Sequence, residues 1–504
     1  MARFIAYDLG TGGIKASLYD EALHSKAGVF IEYSTYYDGS DRKEQRPLDW
    51  WDAVCESTKQ LLKHTGTAPR DIACVAISGQ SLVSLPVDER GEPLLERVPI
   101  WSDTRASAQS ERFFQQVSRD DWYMTTGNGF PPACYSLFKI MWMKEHFPEL
   151  YNKTHKFLGS KDYINFCLTG EMRTDFSYAS GTGGFSLKEW RLWQPFLDAA
   201  GIERSLFPDM VPSYEVIGRV TVEAAQKTGL MAGTPVACGA VDNACMALGA
   251  VGTREGGVYV SLGSSSWIPV NSREPVLDPV RRSYVFAHAE KGMYTSAFSI
   301  FSAGSSLRWA RETLCGEFAG EEDAYDRMTA LAAKAPLGAG GVLFNPSLAG
   351  GTSQDKSVHI RGAYLNLTLG AAREDLIRAV LEGIALNLRA SLLYLREHTR
   401  LSDRILFCGG GARSPFWMQM FADVFNMSVV TTNIDQDAAS LGAAAIAKRA
   451  AGEWGDFSGI SALHTVRNVY TPDAGRHAAY LDIFRRFILA SDMLSDLGDR
   501  LREA

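Results

Sequence analysis

Short apolar runs recur along the chain, and most of them stop at a glycine or an aspartate. Residues 5–9 are apolar apart from Asp8, and residues 14–19 alternate around Lys15 and Ser17, so both predict strands. A third strand is predicted over residues 28–33. Trp51, Val54, Thr58 and Leu61 then share one helical face, which predicts a helix over 50–64. Further strands are expected over 72–78, stopping at Gly79, and over 235–241, stopping at Asp242. The second of these leads into a helix of small residues over 244–250. In the second half, Leu376, Val380, Ile384, Leu388, Leu392 and Leu395 give a long core helix over 373–398. A strand over 404–408 runs through a triple glycine to a helix over 416–425, for which Ser414 is a suitable cap and Pro415 a suitable first residue. The last ~50 residues read as helical.

One design occurs twice. Phe4 to Gly13 is an apolar strand entering a Leu-Gly-hydroxyl-small turn, and Val258 to Ser266 repeats it about 250 residues later. After each turn the chain is extended again, over 14–19 and over 267–270. A strand, glycine-rich turn, strand unit lets successive backbone N–H groups converge on an anion with no side chain in the way. Two such cradles, one in each half, imply two related lobes gripping one polyphosphate from both sides. The order of strands, helix, strand, helix is α/β with a mixed sheet rather than a pure Rossmann crossover. The boundary is expected between Asp242 and Gly257, giving lobes 1–245 and 246–504.

The 504 residues are enough for two or three domains with real cores, and 46% hydrophobic with 22% charged residues is ordinary for a globular protein. A net charge of -7 without any Lys/Arg block argues against a nucleic-acid surface. Polyphosphate binding must then be local, through backbone N–H groups and a metal. No apolar stretch approaches the ~18 residues of a membrane span, and the first apolar run is too short for a secretory signal. Eight scattered cysteines without a CxxC fit reduced thiols, so a cytoplasmic location is expected.

Asp8 ends a buried strand beside the first cradle. A carboxylate there repels phosphate unless a divalent cation lies between them, which makes it a candidate partner of Mg²⁺-bound water. Asp242 ends a strand of small residues just before the second cradle, where the lobes meet. Phosphoryl transfer to an alcohol needs one carboxylate near the attacking hydroxyl, and Asp242 is the candidate. Gly409 to Ser414 offers backbone free of side chains for an adenine and ribose. Ile100-Trp101-Ser102-Asp103-Thr104-Arg105 combines an aromatic plane with a carboxylate and a guanidinium, a set suited to a polyol.

Asp8-Leu9-Gly10-Thr11, Asp242-Asn243, Gly263-Ser264-Ser265 and Gly409-Gly410-Gly411-Ala412-Arg413-Ser414 occur in the order found in the FGGY carbohydrate kinases. Ser136-x-x-Lys139-Ile140-x-Trp142, Ser160-Lys161-Asp162-Tyr163, Leu168-Thr169-Gly170-Glu171 and Arg378 to Gly383 add to the match. The chain resembles that family over essentially its full length, and most of all its xylulokinase branch. The resemblance implies an actin/hexokinase-like ATPase fold, with two ribonuclease-H-like lobes around Mg-ATP and a sugar in the cleft. It implies transfer of the γ-phosphate to a terminal sugar hydroxyl, with Asp242 as base. Mg²⁺ is expected at Asp8 through water, with Asp242 a second possible ligand. Gln80, Ser81, Leu82, Trp101, Asp103, Asp242 and Asn243 are expected at the sugar. Gly10, Thr11, Gly12, Gly263, Ser264, Ser265, Gly304, Arg308, Gly410, Gly411 and Ala412 are expected at the nucleotide. A homodimer with a small-molecule sugar substrate, and no nucleic-acid or membrane partner, completes the expectation.

Three positions depart from the xylulokinase pattern. Gly79-Gln80-Ser81-Leu82 replaces Gly-Gln-Met-His, which removes an imidazole from the sugar-reading loop. Asn366 stands where the second family signature has Gly, and Asn tolerates a left-handed backbone. Ala349 to Ser353 lacks the Gly-Glu-Arg-Thr run. The expected substrate is a pentulose or close relative, including tetruloses and branched ketoses. The alternatives are another polyol, a 6-deoxyketose or a sugar acid, or a catalytically silent sugar or nucleotide sensor on the same scaffold.

Overall fold

The computed structural model describes residues 2–503. The first sheet contains β1 (Arg3–Leu9), β2 (Gly13–Tyr19) and β3 (Ser25–Glu32); helix α1 (Pro47–Thr65) follows, and then β4 (Ile72–Gly79). The sheet is completed by β5 (Val216–Arg219), β6 (Pro235–Ala237) and β7 (Ala240–Val241). Its order is β5-β6-β4-β1-β2-β3, with β7 also paired to β4. β1 runs antiparallel to β2 and parallel to β4. Trp50, Val54 and Leu61 of α1 pack with Ile5, Tyr7, Ile14 and Leu18 on one face of this sheet.

The strand expected over 235–241 is two strands. Gly239 lies between them at φ 73°, and a Cβ there would sit 2.1 Å from the Ile77 carbonyl oxygen. The break lets β7 approach β4 closely, while the Cys238 carbonyl accepts from Asn165 Nδ2 at 2.8 Å and from Lys161 Nζ at 3.3 Å. Helix α2 (Asp242–Val251) then begins at Asp242 itself, so the residue directly after β7 already stands in a helical first turn.

The second sheet has the same core design. β8 (Tyr259–Leu262) runs antiparallel to β9 (Ser266–Ser272), and is parallel to a strand from much later in the chain. β10 (Tyr284–Ala287) and β11 (Tyr294–Ile300) extend the antiparallel side. Helix α3 (Arg373–His398) covers one face with Ile377, Ile384, Leu388 and Leu392. The parallel partner of β8 is β12 (Arg404–Cys408), followed by α4 (Pro415–Phe425) and β13 (Ser428–Thr432). Ser414 Oγ accepts from the Trp417 N–H at 3.3 Å and Pro415 is the first residue of α4, the cap and start expected from the sequence. After α5 (Ala438–Ala450), the C-terminal stretch is not all helix. β14 (Val466–Tyr470) adds an edge strand before α6 (Ala474–Glu503). It is short and mostly exposed, so its sequence carries no buried alternation.

The lobes meet through α2 and α5. Ala443, Ala444 and Ile446 of α5 pack with Phe4, Ala6 and Ala76 of the first sheet, although α5 connects β13 and β14 of the second. The two helices touch backbone to backbone. A Cβ on Gly249 would lie 1.8 Å from the Ala438 carbonyl oxygen, and one on Gly442 would lie 1.9 Å from that of Cys245. A second seam joins the aromatic subdomain of the first half to β10. There the Val285 N–H donates to the Gly127 carbonyl at 2.8 Å, and the Phe130 and Tyr284 rings stack 4.0 Å apart.

Candidate active site

Gly10, Thr11 and Gly12 form the turn between β1 and β2, and its carbonyls are all held from one side. The Tyr33 hydroxyl donates to the Gly10 carbonyl. Gln45 Nε2 donates to the Thr11 carbonyl at 2.6 Å, Thr35 Oγ1 reaches the same oxygen at 3.2 Å, and the Tyr33 N–H reaches the Gly12 carbonyl at 3.4 Å. In a trans peptide the N–H points opposite to the C=O. The N–H groups of Thr11 and Gly12 are thereby aimed away from this strap, and neither has a protein acceptor among the described residues.

The second turn is tied in the same way by different residues. The Gly263 carbonyl accepts from the Gly304 N–H at 2.9 Å, and the Ser264 carbonyl accepts from the N–H groups of Ala303 at 3.0 Å and Ser305 at 2.9 Å. A Cβ at Gly304 would sit 2.5 Å from the Gly263 oxygen, so the helix Gly304–Leu314 can start against this turn only through a glycine. The Ser264 and Ser265 N–H groups face the other way, again without a protein acceptor among the described residues. Beside this turn lies a cavity of about 650 Å³. Of the residues expected at the nucleotide, Gly263, Ser264, Gly304, Arg308, Gly410 and Gly411 line it, and Gly10, Thr11 and Gly12 do not. Ser265 and Ala412 flank these residues in the chain without lining the cavity. Gly409 adopts φ 93°, and a Cβ on it would be 2.7 Å from the Leu262 oxygen, which brings the triple glycine against the second turn.

Asp8 and Asp242 stand at the floor between the lobes. Asp8 Oδ1 accepts from the Ser78 hydroxyl at 2.8 Å. Burial raises its carboxyl above the usual carboxylate range, the Ser78 bond and Lys15 work against that, and Asp437 adds to it. Burial pushes the Asp242 carboxyl up to about 7, opposed by the Asn243 N–H, which donates to Oδ1 at 2.7 Å, and reinforced by Asp8. A carboxylate that raises the proton affinity of its neighbour, as Asp8 does for Asp242, suits a site that holds a cation. Among the described residues no group of three or more His, Cys, Asp or Glu is arranged to hold a metal. Mg²⁺ is nevertheless compatible with the site, because it commonly takes one or two carboxylates and completes its shell with water and phosphate. Lys15 of β2 pairs with Asp437, the residue after the cavity-lining Gln436, so both turns open on one cleft.

The residues expected at the sugar divide into two groups. Trp101 is 37% exposed and its Nε1 donates to Thr11 Oγ1 at 3.0 Å, so its ring stands beside the first turn. Ser81 and Asn243 are also partly exposed. Asp103 is fully buried. Its Oδ1 accepts from Arg105 Nε at 2.9 Å and its Oδ2 from Arg105 Nη2 at 2.7 Å and the Lys43 N–H at 2.8 Å, so the carboxylate is engaged within the protein. Leu82 adopts φ 61° and turns its side chain into the aromatic core with Phe113, Tyr135 and Ala179. Its carbonyl accepts from the buried Lys139 Nζ at 2.9 Å, and the same ammonium reaches the Ile100 carbonyl at 2.6 Å. Gln80 is buried behind the loop.

Sequence reasoning missed Lys15, Gln45 and the cavity wall formed by Glu322, Tyr325, Asp326 and Thr329. Lys15 carried a signal, as the one charge in an apolar strand leaving the first turn. The wall carried only the polar face of an ordinary surface helix.

Two sheets of one design, each presenting free N–H groups to a cleft floored by carboxylates, define a two-lobed phosphotransferase of the actin/hexokinase-like ATPase fold. The chain belongs to the FGGY family of carbohydrate kinases: residues 3–249 match the N-terminal domain of that family and residues 258–451 its C-terminal domain. It is a sugar kinase, with ATP the co-substrate that the family implies. It is 31% identical to the xylulose kinase of Bacillus subtilis (strain 168), over 89% of this chain and 88% of that one. It is 29% identical to the gluconokinase of the same organism, over 98% and 96% of the two chains. The solved structure of a ligand-bound xylulose kinase from Lactobacillus acidophilus superposes with a TM-score of 0.92 at 27% identity, covering 99% of this chain and all (100%) of that one. No helix among the described residues is long and apolar enough to cross a membrane.

Proposed function

We propose that this kinase transfers the γ-phosphate of ATP to a terminal hydroxyl of a small ketose, a xylulose-like pentulose or close relative, with Asp242 as general base. The observation that carries this reading is the Asp242 carboxyl, poised at about 7 at the mouth of α2 and beside Asp8. A base with that proton affinity takes a hydroxyl proton as the oxygen attacks and is still ionised in a good fraction of molecules at neutral pH. The attacking oxygen forms a bond to the γ-phosphorus while the bond to the β–γ bridging oxygen breaks, and ADP leaves. The outward N–H groups of Thr11, Gly12, Ser264 and Ser265 would receive the phosphate charge without reorganising. Bound Mg²⁺, at Asp8 through water and with Asp242 as a possible second ligand, would neutralise phosphate charge. The cavity bounded by Gly304, Arg308, Gly410 and Gly411 suits adenosine, with Ala412 at its edge. Lobes 1–245 and 246–504 would act as the two jaws, and the enzyme would work as a homodimer.

The 29% identity to a gluconokinase over nearly the whole chain favours one second reading, a sugar acid as acceptor. The deciding experiment measures ADP release from Mg-ATP with D-xylulose, other four- to six-carbon ketoses, glycerol and gluconate. A ketose should give the highest kcat/KM. Gluconate ahead of every ketose would replace the first reading with the second. Asp242→Asn should lower kcat by roughly 10²–10⁴ on the preferred sugar. More than a tenth of wild-type turnover at saturating substrate would remove the base assignment.

A further inference from the structure

Gln45, which straps the Thr11 carbonyl, is fully buried and uses all of its amide hydrogen-bonding capacity. Nε2 donates to the Thr11 carbonyl at 2.6 Å and to Thr35 Oγ1 at 2.8 Å, while Oε1 accepts from Trp50 Nε1 at 3.0 Å and from Gln80 Nε2 at 2.7 Å. These partners fix its orientation. A carbonyl can only accept and an indole N–H can only donate, so the NH₂ must face Thr11 and the oxygen must face Trp50 and Gln80. The same logic then fixes Gln80. Its NH₂ must face Gln45, and its own Oε1 is left buried without a protein partner. The Gln80 main chain is equally committed, with its N–H donating to the Leu9 carbonyl at 2.9 Å and its carbonyl accepting from Ser160 Oγ at 2.8 Å and Tyr178 at 3.0 Å.

We propose that Gln45 is a positioning residue for phosphoryl transfer, which locks the first phosphate turn to the loop carrying Gln80 and Ser81 so that the two move as one body. The inference rests on the kinase reading. Its physical content is that the Thr11 carbonyl sets the aim of the Gly12 N–H, because both belong to one peptide plane. Without the Gln45 amide, that plane loses its shorter anchor and keeps only Thr35 at 3.2 Å. Transferring groups misplaced by about 1 Å can lose on the order of 10² in rate. A residue on the acceptor side, Gln80, therefore contributes to handling of the nucleotide.

Gln45→Met and Gln80→Met keep bulk and remove the polar relay from its two ends. The expected result is a fall of about tenfold or more in kcat/KM for ATP in both, with KM for the sugar within threefold of wild type in Gln45→Met. A role in stability alone would lower the melting temperature and the active fraction while leaving the ATP parameters of active molecules unchanged. Amide hydrogen exchange on the ligand-free proteins supplies a readout independent of substrate. Peptides covering Gly10 and Tyr33, whose N–H groups donate to the Gly13 and Gly12 carbonyls of the turn, should exchange faster in Gln80→Met, with the distant strand Arg404–Cys408 unchanged. Should Gln45→Met not fold, Gln80→Met carries the test alone. ATP parameters within twofold of wild type in Gln80→Met, together with unaltered exchange at Gly10 and Tyr33, overturn the coupling. A wild-type protein that phosphorylates nothing while the exchange changes occur as expected overturns only the kinase reading.

Discussion

The Ser78 hydroxyl donates to Oδ1 of Asp8 at 2.8 Å, and Oδ2 has no protein donor among the described residues. One edge of the carboxylate is thus fixed by its neighbour in the sheet and the other is left to the cleft. This geometry suits a carboxylate that orients water on a cation more than one that caps a turn, since a turn cap would spend its oxygens on nearby N–H groups.

Asp8→Ala should therefore raise the Mg²⁺ concentration needed for half-maximal rate and lower turnover, and Ser78→Ala should do the same more weakly. Rates measured across a Mg²⁺ titration at saturating ATP and sugar test this. An unchanged midpoint in Asp8→Ala would leave Asp8 as a structural residue.

The Asp242 carboxyl also has a cost for stability. Its folded proton affinity, about 7, exceeds the ordinary 3.8 of an unfolded chain, so the folded protein holds this proton more tightly. Stability from this group is complete below pH ~4 and is lost as pH climbs through about 7, by at most about 4 kcal/mol. Asn cannot ionise and lacks that slope. Ligand-free Asp242→Asn should be more stable than wild type at pH 8 and close to it at pH 4, as read by urea denaturation. An equal difference at both pH values would contradict the raised proton affinity.

Leu82 and Ser81 divide the loop proposed to read the sugar between core and cleft. With Leu82 turned into the aromatic core, the loop offers the cleft one hydroxyl where an imidazole would give a stronger partner. A site without such a partner discriminates weakly for the matching hydroxyl. D-xylulose should then be a mediocre substrate beside a deoxygenated, shortened or branched ketose. Replacing Ser81-Leu82 by Met-His should move the kcat/KM ratio toward D-xylulose and lower the melting temperature, because an imidazole at 82 replaces a well-packed leucine. Highest wild-type kcat/KM for D-xylulose among all ketoses tested would refute this reading of the loop.

Water left in the cleft would compete with the sugar for the γ-phosphate, so sugar binding should draw the lobes together. The Gly127–Val285 seam fixes one side of the molecule, and closure should bring the turn at Thr11 and the turn at Ser264 together. ATP hydrolysis without sugar should be weak. Small-angle scattering should give a smaller radius of gyration with sugar and nucleotide together than with neither, and identical curves would count against the motion.

Much of this was legible in the chain. The paired strand-turn-strand units, the cap at Ser414 and the left-handed Asn366, at φ 58°, all depend on local chemistry that neighbouring residues supply. The rest depends on partners far along the chain. Gln45 acquires its role from Thr11 and Gln80, and Leu82 is drawn from the cleft by an aromatic cluster assembled from residues on both sides of the lobe boundary. Asp103 had the right chemistry for a sugar, and only the fold brings Lys43 to join Arg105 around its carboxylate.

The contact between Gly249 and Gly442 has a mechanical consequence. Two helices that touch through bare main chain leave no side chain to yield between them, so they can pivot about that point far more easily than they can separate. A single added methyl would act as a wedge, and its effect would appear as a change in the jaw angle at rest, remote from every group that touches a substrate. The bearing of this machine is therefore set by the absence of two side chains, and its tolerance is narrower than that of the cleft it serves.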